Sequence, residues 1–201
     1  MFYEHDKRDY SKLRHDPFKA IVAPRPIGWI TSISAKGEIN LAPYSYFNGV
    51  SSKPNLLMFA SEGRKDSVAN IEETREFVCN LATYDLREVM NATSAPLPHG
   101  INEMIRAGLE PAPSRLVKPP RVKASPCALE CKLIKIVAME TADGKPVDCH
   151  VVFGQVVGVY IDDRFIVDGL LNTAAMKPIA RCGYDQYSVV ESVFSMTRPS
   201  A

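Results

Sequence analysis

The sequence has no surplus of either charge, no long apolar run and none of the short motifs that mark common hydrolases and nucleotide enzymes. Its 201 residues carry 24 lysines and arginines against 23 aspartates and glutamates, a net charge of +1. No polybasic field exists to hold a nucleic-acid backbone, and no window is apolar for long enough to span a bilayer. Neither nucleic acid nor membrane is therefore expected as a partner. HExxH, GxSxG and GxxxxGK[ST] are missing. GxGxxG is missing too, which argues against a stably held dinucleotide. The histidines, at 5, 15, 99 and 150, share no metal-ligand spacing, and no metal is expected. The carboxylates form no pair suited to glycoside hydrolysis. The first sixteen residues are densely charged and unlike a secretory signal, so the expected location is the cytoplasm.

Cysteine is sparse and odd in number, at 79, 127, 131, 149 and 182. Reduced thiols are the expectation for such a chain. Cys127 and Cys131 fall in a run that reads as a strand and would share one face. Their spacing is not that of a zinc knuckle or a redox pair, so they read as buried and inert.

The length suits one domain. Residues 1–16 read as a polar lead-in, 17–190 as the domain and 191–201 as a tail. Ile27 to Ser34 alternates, with Ile27, Trp29, Thr31 and Ile33 on one face and Gly28, Ile30, Ser32 and Ser34 on the other, which predicts a strand. Ile39 to Val50 predicts a second strand interrupted by Pro43, a residue that implies an edge or a bulge. Asn55 to Ala60 is a short apolar strand. Asp66 to Thr74 is a helix with Asp66 or Ser67 as its cap. Strand 76–82 and short helices at 86–92 and 101–107 follow. Cys127 to Ala142 and His150 to Ile161 are the longest strand candidates, joined by a turn at 142–145. Seven of the fifteen prolines lie between 96 and 126. That segment also holds Leu97, Ile101, Met104 and Leu109, too much apolar content for a free linker. An ordered excursion against the domain is expected. About seven strands with only short helices point to a mainly β, mostly antiparallel barrel.

Three groups of residues could carry chemistry. In Ser61-Glu62-Gly63-Arg64-Lys65-Asp66-Ser67, Arg64 and Lys65 offer charge and Ser61 and Ser67 hydroxyls, just before the free amides of a helix start. These are the parts of a phosphate site, with Asp66 tolerable if it turns in to cap the helix. Read on spacing alone, the same stretch is an exposed basic turn. The second group is Thr31-Ser32 with Asn40 to Ser45, where small residues and a proline-broken strand would let a flat flavin ring approach the backbone. It reads equally as a strand pair with a bulge. The third is His150, placed to donate a proton or to wall a substrate, or to serve only as a structural residue.

Taken in order, Arg25-Pro26-Ile27-Gly28-Trp29-Ile30-Thr31-Ser32, Asn40-Leu41-Ala42-Pro43-Tyr44-Ser45, Arg64-Lys65-Asp66-Ser67, Glu76-Phe77-Val78-Cys79-Asn80 and His150-Val151-Val152-Phe153-Gly154 resemble the flavin reductase-like family of FMN-binding split-barrel proteins. The resemblance covers roughly residues 17–190. It implies a six-stranded antiparallel Greek-key barrel with a few short peripheral helices, forming a homodimer with one FMN per subunit. It implies flavin contacts at Thr31, Ser32, Ala42, Pro43, Ser45 and Ser51, and phosphate contacts at Ser61, Arg64, Lys65 and Ser67. It puts His150 on the nicotinamide or substrate side of the ring. Cys182 departs from the second glycine that the family often has beside Gly183.

The function implied is an FMN oxidoreductase. It would take a hydride from transiently bound NADH or NADPH and pass electrons to free flavin, an oxygenase or electron-transfer partner, or a small acceptor. A flavoredoxin-like carrier without nicotinamide activity, and a non-catalytic barrel holding FMN or another phosphate-bearing ligand, are the alternatives.

Overall fold

Short alternating segments between Gly28 and Glu62 fold into four strands: β1 (Gly28–Ile33), β2 (Ile39–Tyr44), β3 (Phe47–Ser52) and β4 (Asn55–Glu62). The computed structural model describes residues 1–199. It continues with helix α1 (Asp66–Thr74), β5 (Glu76–Leu81), helix α2 (Arg87–Ala92), β6 (Cys127–Glu140) and β7 (Pro146–Ile161). These strands form one antiparallel sheet in the order β2-β1-β5-β6-β7-β4-β3.

β2 and β3 are the two edges of that sheet, yet only Ser45 and Tyr46 separate them along the chain. The sheet curls until its outer strands meet at this corner, and no ladder closes the seam between them. Counted as one bent strand, residues 39–52 complete the six strands of a split barrel. The expected break at Pro43 is corrected: the strand ends after Tyr44 instead. Pro43 lies opposite Trp29 on the edge strand β2, where a residue without an N–H is tolerated.

The alternation in β1 is realised on two buried faces. Ile30 points into the barrel with Tyr44, Phe59, Phe77 and Val152, while α1 closes this core with Val68 and Ile71. Trp29 and Ile27 point outward into a second core with Leu41, Met90, Met104 and Val122. Gly154 in β7 is a required small residue, since a Cβ there would lie 2.4 Å from Phe77 Cζ.

β7 begins at Pro146, four residues before the predicted start. His150 therefore lies inside the strand, and the turn is closed by Thr141 and Lys145, whose backbones bond at 2.8 Å. Two short strands after residue 178 were not foreseen. Ile179–Arg181 pairs with Tyr187–Val189 on one side and with Arg25–Pro26 on the other. No helix is long and apolar enough to cross a membrane among the described residues.

Residues 96–126 lie along the outer core and bury Met104, Leu109, Val117 and Val122. Buried Glu130 of β6 anchors this excursion by accepting from the backbone N–H groups of Arg115 (2.9 Å) and Leu116 (2.6 Å). Each bond to a charged acceptor is worth about 1.5–3 kcal/mol. Glu130→Ala is expected to cost about 3 kcal/mol in urea denaturation. A loss under about 1 kcal/mol would show that the excursion stays in place without this carboxylate.

Candidate functional site

α1 starts without a cap. Lys65 occupies the N-cap position in extended conformation, and no side chain among the described residues bonds the first-turn amides. Those amides and the positive end of the helix dipole face outward. In front of them lies a cleft of about 320 Å³, lined by Asn40, Ala42, Pro43, Lys65 and Ser67 and roofed by residues 93–97. The predicted cap is corrected on both candidates. Ser67 is fully buried and accepts from Asn40 Nδ2 at 2.8 Å. Asp66 also lines this cleft but caps no helix amide, and its carboxylate meets His99 Nδ1 at 2.8 Å.

The His99–Asp66 contact ties residues 93–100 down over the start of α1. Asp66, by hydrogen bond and then by charge, raises the His99 pKa above its ordinary 6.5. The folded state thus holds this proton more tightly than the unfolded chain does. The stabilisation is complete below about pH 6.5 and fades as pH rises through the higher folded value. His99→Gln is expected to lower the denaturation midpoint at about pH 6 and to have less effect at about pH 8. The same decrement at both values would rule this pair out as a titrating tie.

Of the residues expected to form the site, the first cleft gathers Ala42, Pro43, Lys65 and Ser67. Arg64 is elsewhere. Its guanidinium pairs with Glu72 on the exposed side of α1, in a groove shared with Lys36, Glu38 and His99. Thr31, Ser32 and Ser61, expected as flavin and phosphate contacts, hold their hydroxyls in hydrogen bonds within the chain. All three are fully buried. Thr31 Oγ1 accepts from Asn80 Nδ2 at 2.9 Å, Ser32 Oγ accepts from Asn70 Nδ2 at 3.3 Å, and Ser61 donates to the Gly63 carbonyl at 2.8 Å. Ser51 stands exposed on β3, opposite Leu56 and beside a bulge, and does not line the cleft.

His150 pairs in register with Ser61 and is partly buried. The Val152–Phe59 pair two residues on belongs to the barrel core, so His150 and Ser61 continue the same inward face toward the end of the barrel. His150 Nδ1 is buried with no hydrogen-bond partner among the described residues.

Tyr44 lies inside the second group of the sequence reading without a role of its own there, and Glu103 lies outside all three groups. Tyr44 is buried against Phe59, ring centroids 4.6 Å apart. Burial pushes its phenol up, opposed by the Ser67 and Ser61 hydroxyls beside it. Glu103 lines the cleft and accepts from the Leu41 N–H at 2.9 Å, occupying an amide on the open edge of β2. Burial raises its pKa, opposed by the Leu41 N–H that it accepts from. Asn102, whose side chain accepts from Ile105 N, marks the start of this short helix. Nothing in the sequence says that the next carboxylate turns inward.

A second, larger cavity of about 560 Å³ adjoins the first and shares Pro43 and Ser94 with it. Ser45, Lys19, Arg25 and Tyr184 line it. The two together form a path that runs from an uncapped helix start, past the small edge residues Ala42 and Pro43, to a basic and aromatic pocket. The thiols take no part. Burial pushes Cys79 up to about 12 and Cys131 well above 9.0, and all five cysteines are free. No cluster of three potential metal ligands occurs among the described residues.

Comparison with known proteins gives this arrangement a family. An uncharacterized protein of Aquifex aeolicus (strain VF5) is 38% identical over 173 residues, covering 83% of this chain and 85% of its own. The crystal structure of nitrilotriacetate monooxygenase component B from Bacillus cereus superposes with a TM-score of 0.88 at 26% identity, covering 98% of each chain. That of the 2-nitrobenzoate 2-nitroreductase NbaA from Pseudomonas fluorescens gives 0.84 at 28% identity, covering 100% of this chain and 97% of that one. The flavin reductase like domain model matches residues 22–174. This chain, with its split barrel and its two joined clefts, belongs to the flavin reductase-like family.

Proposed function

We propose that the chain binds FMN in the first cleft, from the start of α1 to Pro43, and acts as an NAD(P)H-dependent reductase that delivers electrons to a small acceptor. The observation that carries this reading is the uncapped start of α1 with Lys65 beside it, opening on a cleft that continues past Pro43. A phosphate monoester fits there: it needs positive charge and unpaired amides, and both are present. The small side chain of Ala42 and the ring of Pro43 then leave room for a flat ring to lie against the edge of β2.

Bound flavin would supply two-electron chemistry. The protein's share would be to fix the ring, to exclude water with residues 93–97, and to leave the second cavity open for donor and acceptor in turn. A nicotinamide that visits briefly needs no Rossmann unit. His150 stands as a candidate positioning residue at the end of the barrel, and Arg64 as a second phosphate contact if it exchanges Glu72 for the ligand. A small organic acceptor accords with the similarity to a chain named as a nitroreductase. Similarity to a chain named as a monooxygenase component keeps an oxygenase partner in view. A homodimer is part of the proposal, because exposed Val50, Val159 and Leu170 leave apolar surface for a second copy to cover.

The test is a visible absorption spectrum of freshly purified protein, taken before and after anaerobic addition of NADH and then NADPH. A bound-flavin spectrum that bleaches with either supports the reductase. A flavin spectrum that resists both would turn the reading to an electron carrier. A colourless protein that does not take up FMN would refute it.

A further inference from the structure

The larger cavity borders a buried positive charge, Arg25, for which no ion-pair partner occurs among the described residues. Arg25 is only 6% exposed. Its guanidinium donates to the carbonyls of Lys19, Val22 and Cys182, all uncharged acceptors, and its Nε is buried without a partner among the described residues. Its Cζ also lies 5.8 Å from the centre of the Tyr46 ring. A buried cation held by carbonyls and an aromatic face lacks the counter-charge that such groups normally have. Lys19 lines the same wall, with its Nζ 5.8 Å from the centre of the Tyr46 ring.

The two carboxylates in the lining do not fill this need. Asp16 stands 3.7 Å from Arg8 and accepts from the Phe18 N–H. Asp185 is fully solvent-exposed on the rim, 3.4 Å from Arg181. Arg181 is also engaged by the Tyr187 hydroxyl and the Tyr184 carbonyl. The cavity is thus positive on the Lys19–Arg25 side and aromatic along Tyr184 and Tyr187.

We propose that this cavity binds a small organic anion, a flat apolar body carrying a carboxylate, as the substrate that meets the flavin cleft at Pro43. Lys19 and Arg25 supply the opposite charge, and the tyrosines supply the walls. The role as substrate rests on the reductase reading. The binding of the anion does not.

The experiment uses the purified full chain, with and without added FMN, and three probes: benzoate, benzyl alcohol as its neutral counterpart, and inorganic pyrophosphate. Binding is read as a perturbation of the flavin spectrum and, independently of flavin, as a rise in melting temperature. Benzoate is expected to bind saturably and about tenfold or more tighter than benzyl alcohol. Lys19→Ala, a change on an exposed side chain, should weaken benzoate about tenfold and leave benzyl alcohol unmoved. Arg25→Lys, which keeps a charge but loses the planar fork, should weaken it too.

Equal affinity for benzoate and benzyl alcohol would overturn the proposal. So would unchanged benzoate affinity in Lys19→Ala. Binding of pyrophosphate without benzoate would overturn it as well, by assigning the cavity to the phosphates of a dinucleotide. The two readings fail separately. A protein that binds no FMN yet is stabilised by benzoate through Lys19 keeps the anion site and loses the reductase, whereas one that binds FMN and ignores benzoate does the reverse.

Discussion

Replacing Asn80 with leucine is expected to lower the free energy of unfolding by about 3–5 kcal/mol. The side chain of Asn80 is fully buried in β5. Its amide donates to the Trp29 carbonyl and to Thr31 Oγ1, each at 2.9 Å, and its carbonyl accepts from the Val122 N–H at 2.8 Å. One residue therefore joins β1, β5 and the end of the proline-rich excursion. Leucine has a similar volume and restores none of these bonds. The Val122 N–H, on a fully buried residue, would be left without a partner, and the Trp29 carbonyl would lose one. Each such group costs about 1–3 kcal/mol. Urea denaturation measures the sum. A loss below about 1 kcal/mol would mean that water or a shifted neighbour satisfies these groups.

The second large effect is on FMN binding. Lys65→Ala is expected to raise the dissociation constant roughly 10- to 150-fold, the range set by one charge-assisted contact to a phosphate. Arg64→Ala should do less, under about tenfold, because its guanidinium already has Glu72 as partner and an exposed pair of this kind is worth little either way. Titration of FMN fluorescence against each variant gives both numbers. Equal losses would show that Arg64 abandons Glu72 on binding. An unchanged constant in Lys65→Ala would remove the phosphate from the start of α1.

These two residues also mark where the sequence could be read and where it could not. The run of strands, the helix at 66–74 and the edge position of Pro43 follow from alternation and from what proline permits, and each is local. Lys65 at a helix start is legible for the same reason. The fate of Thr31 is not local. Its hydroxyl is taken by Asn80, 49 residues away in sequence, and no pattern within β1 announces that partner. Arg64 and Lys65 are adjacent in sequence, but with Lys65 extended at the start of α1 their side chains diverge, one to the cleft and the other to Glu72 on the helix. Glu103 and Tyr44 join the site through tertiary packing alone. The short strands at 179–181 and 187–189 are too brief to show a period, and they exist because Arg25–Pro26 offers them an edge.

Ser45 and Tyr46 carry the chain from one margin of the sheet to the other, so this corner can be finished only when every strand between has found its neighbour. Contacts that wait on such distant pairings form late, since the entropy of drawing the chain together must be met before they return anything. The same corner borders both clefts, through Pro43 on one side and Ser45 on the other. Ligand recognition is thereby deferred to the end of folding. A chain with an incomplete barrel has no competent clefts to offer, and cofactor capture in this architecture reports that the whole sheet has been assembled.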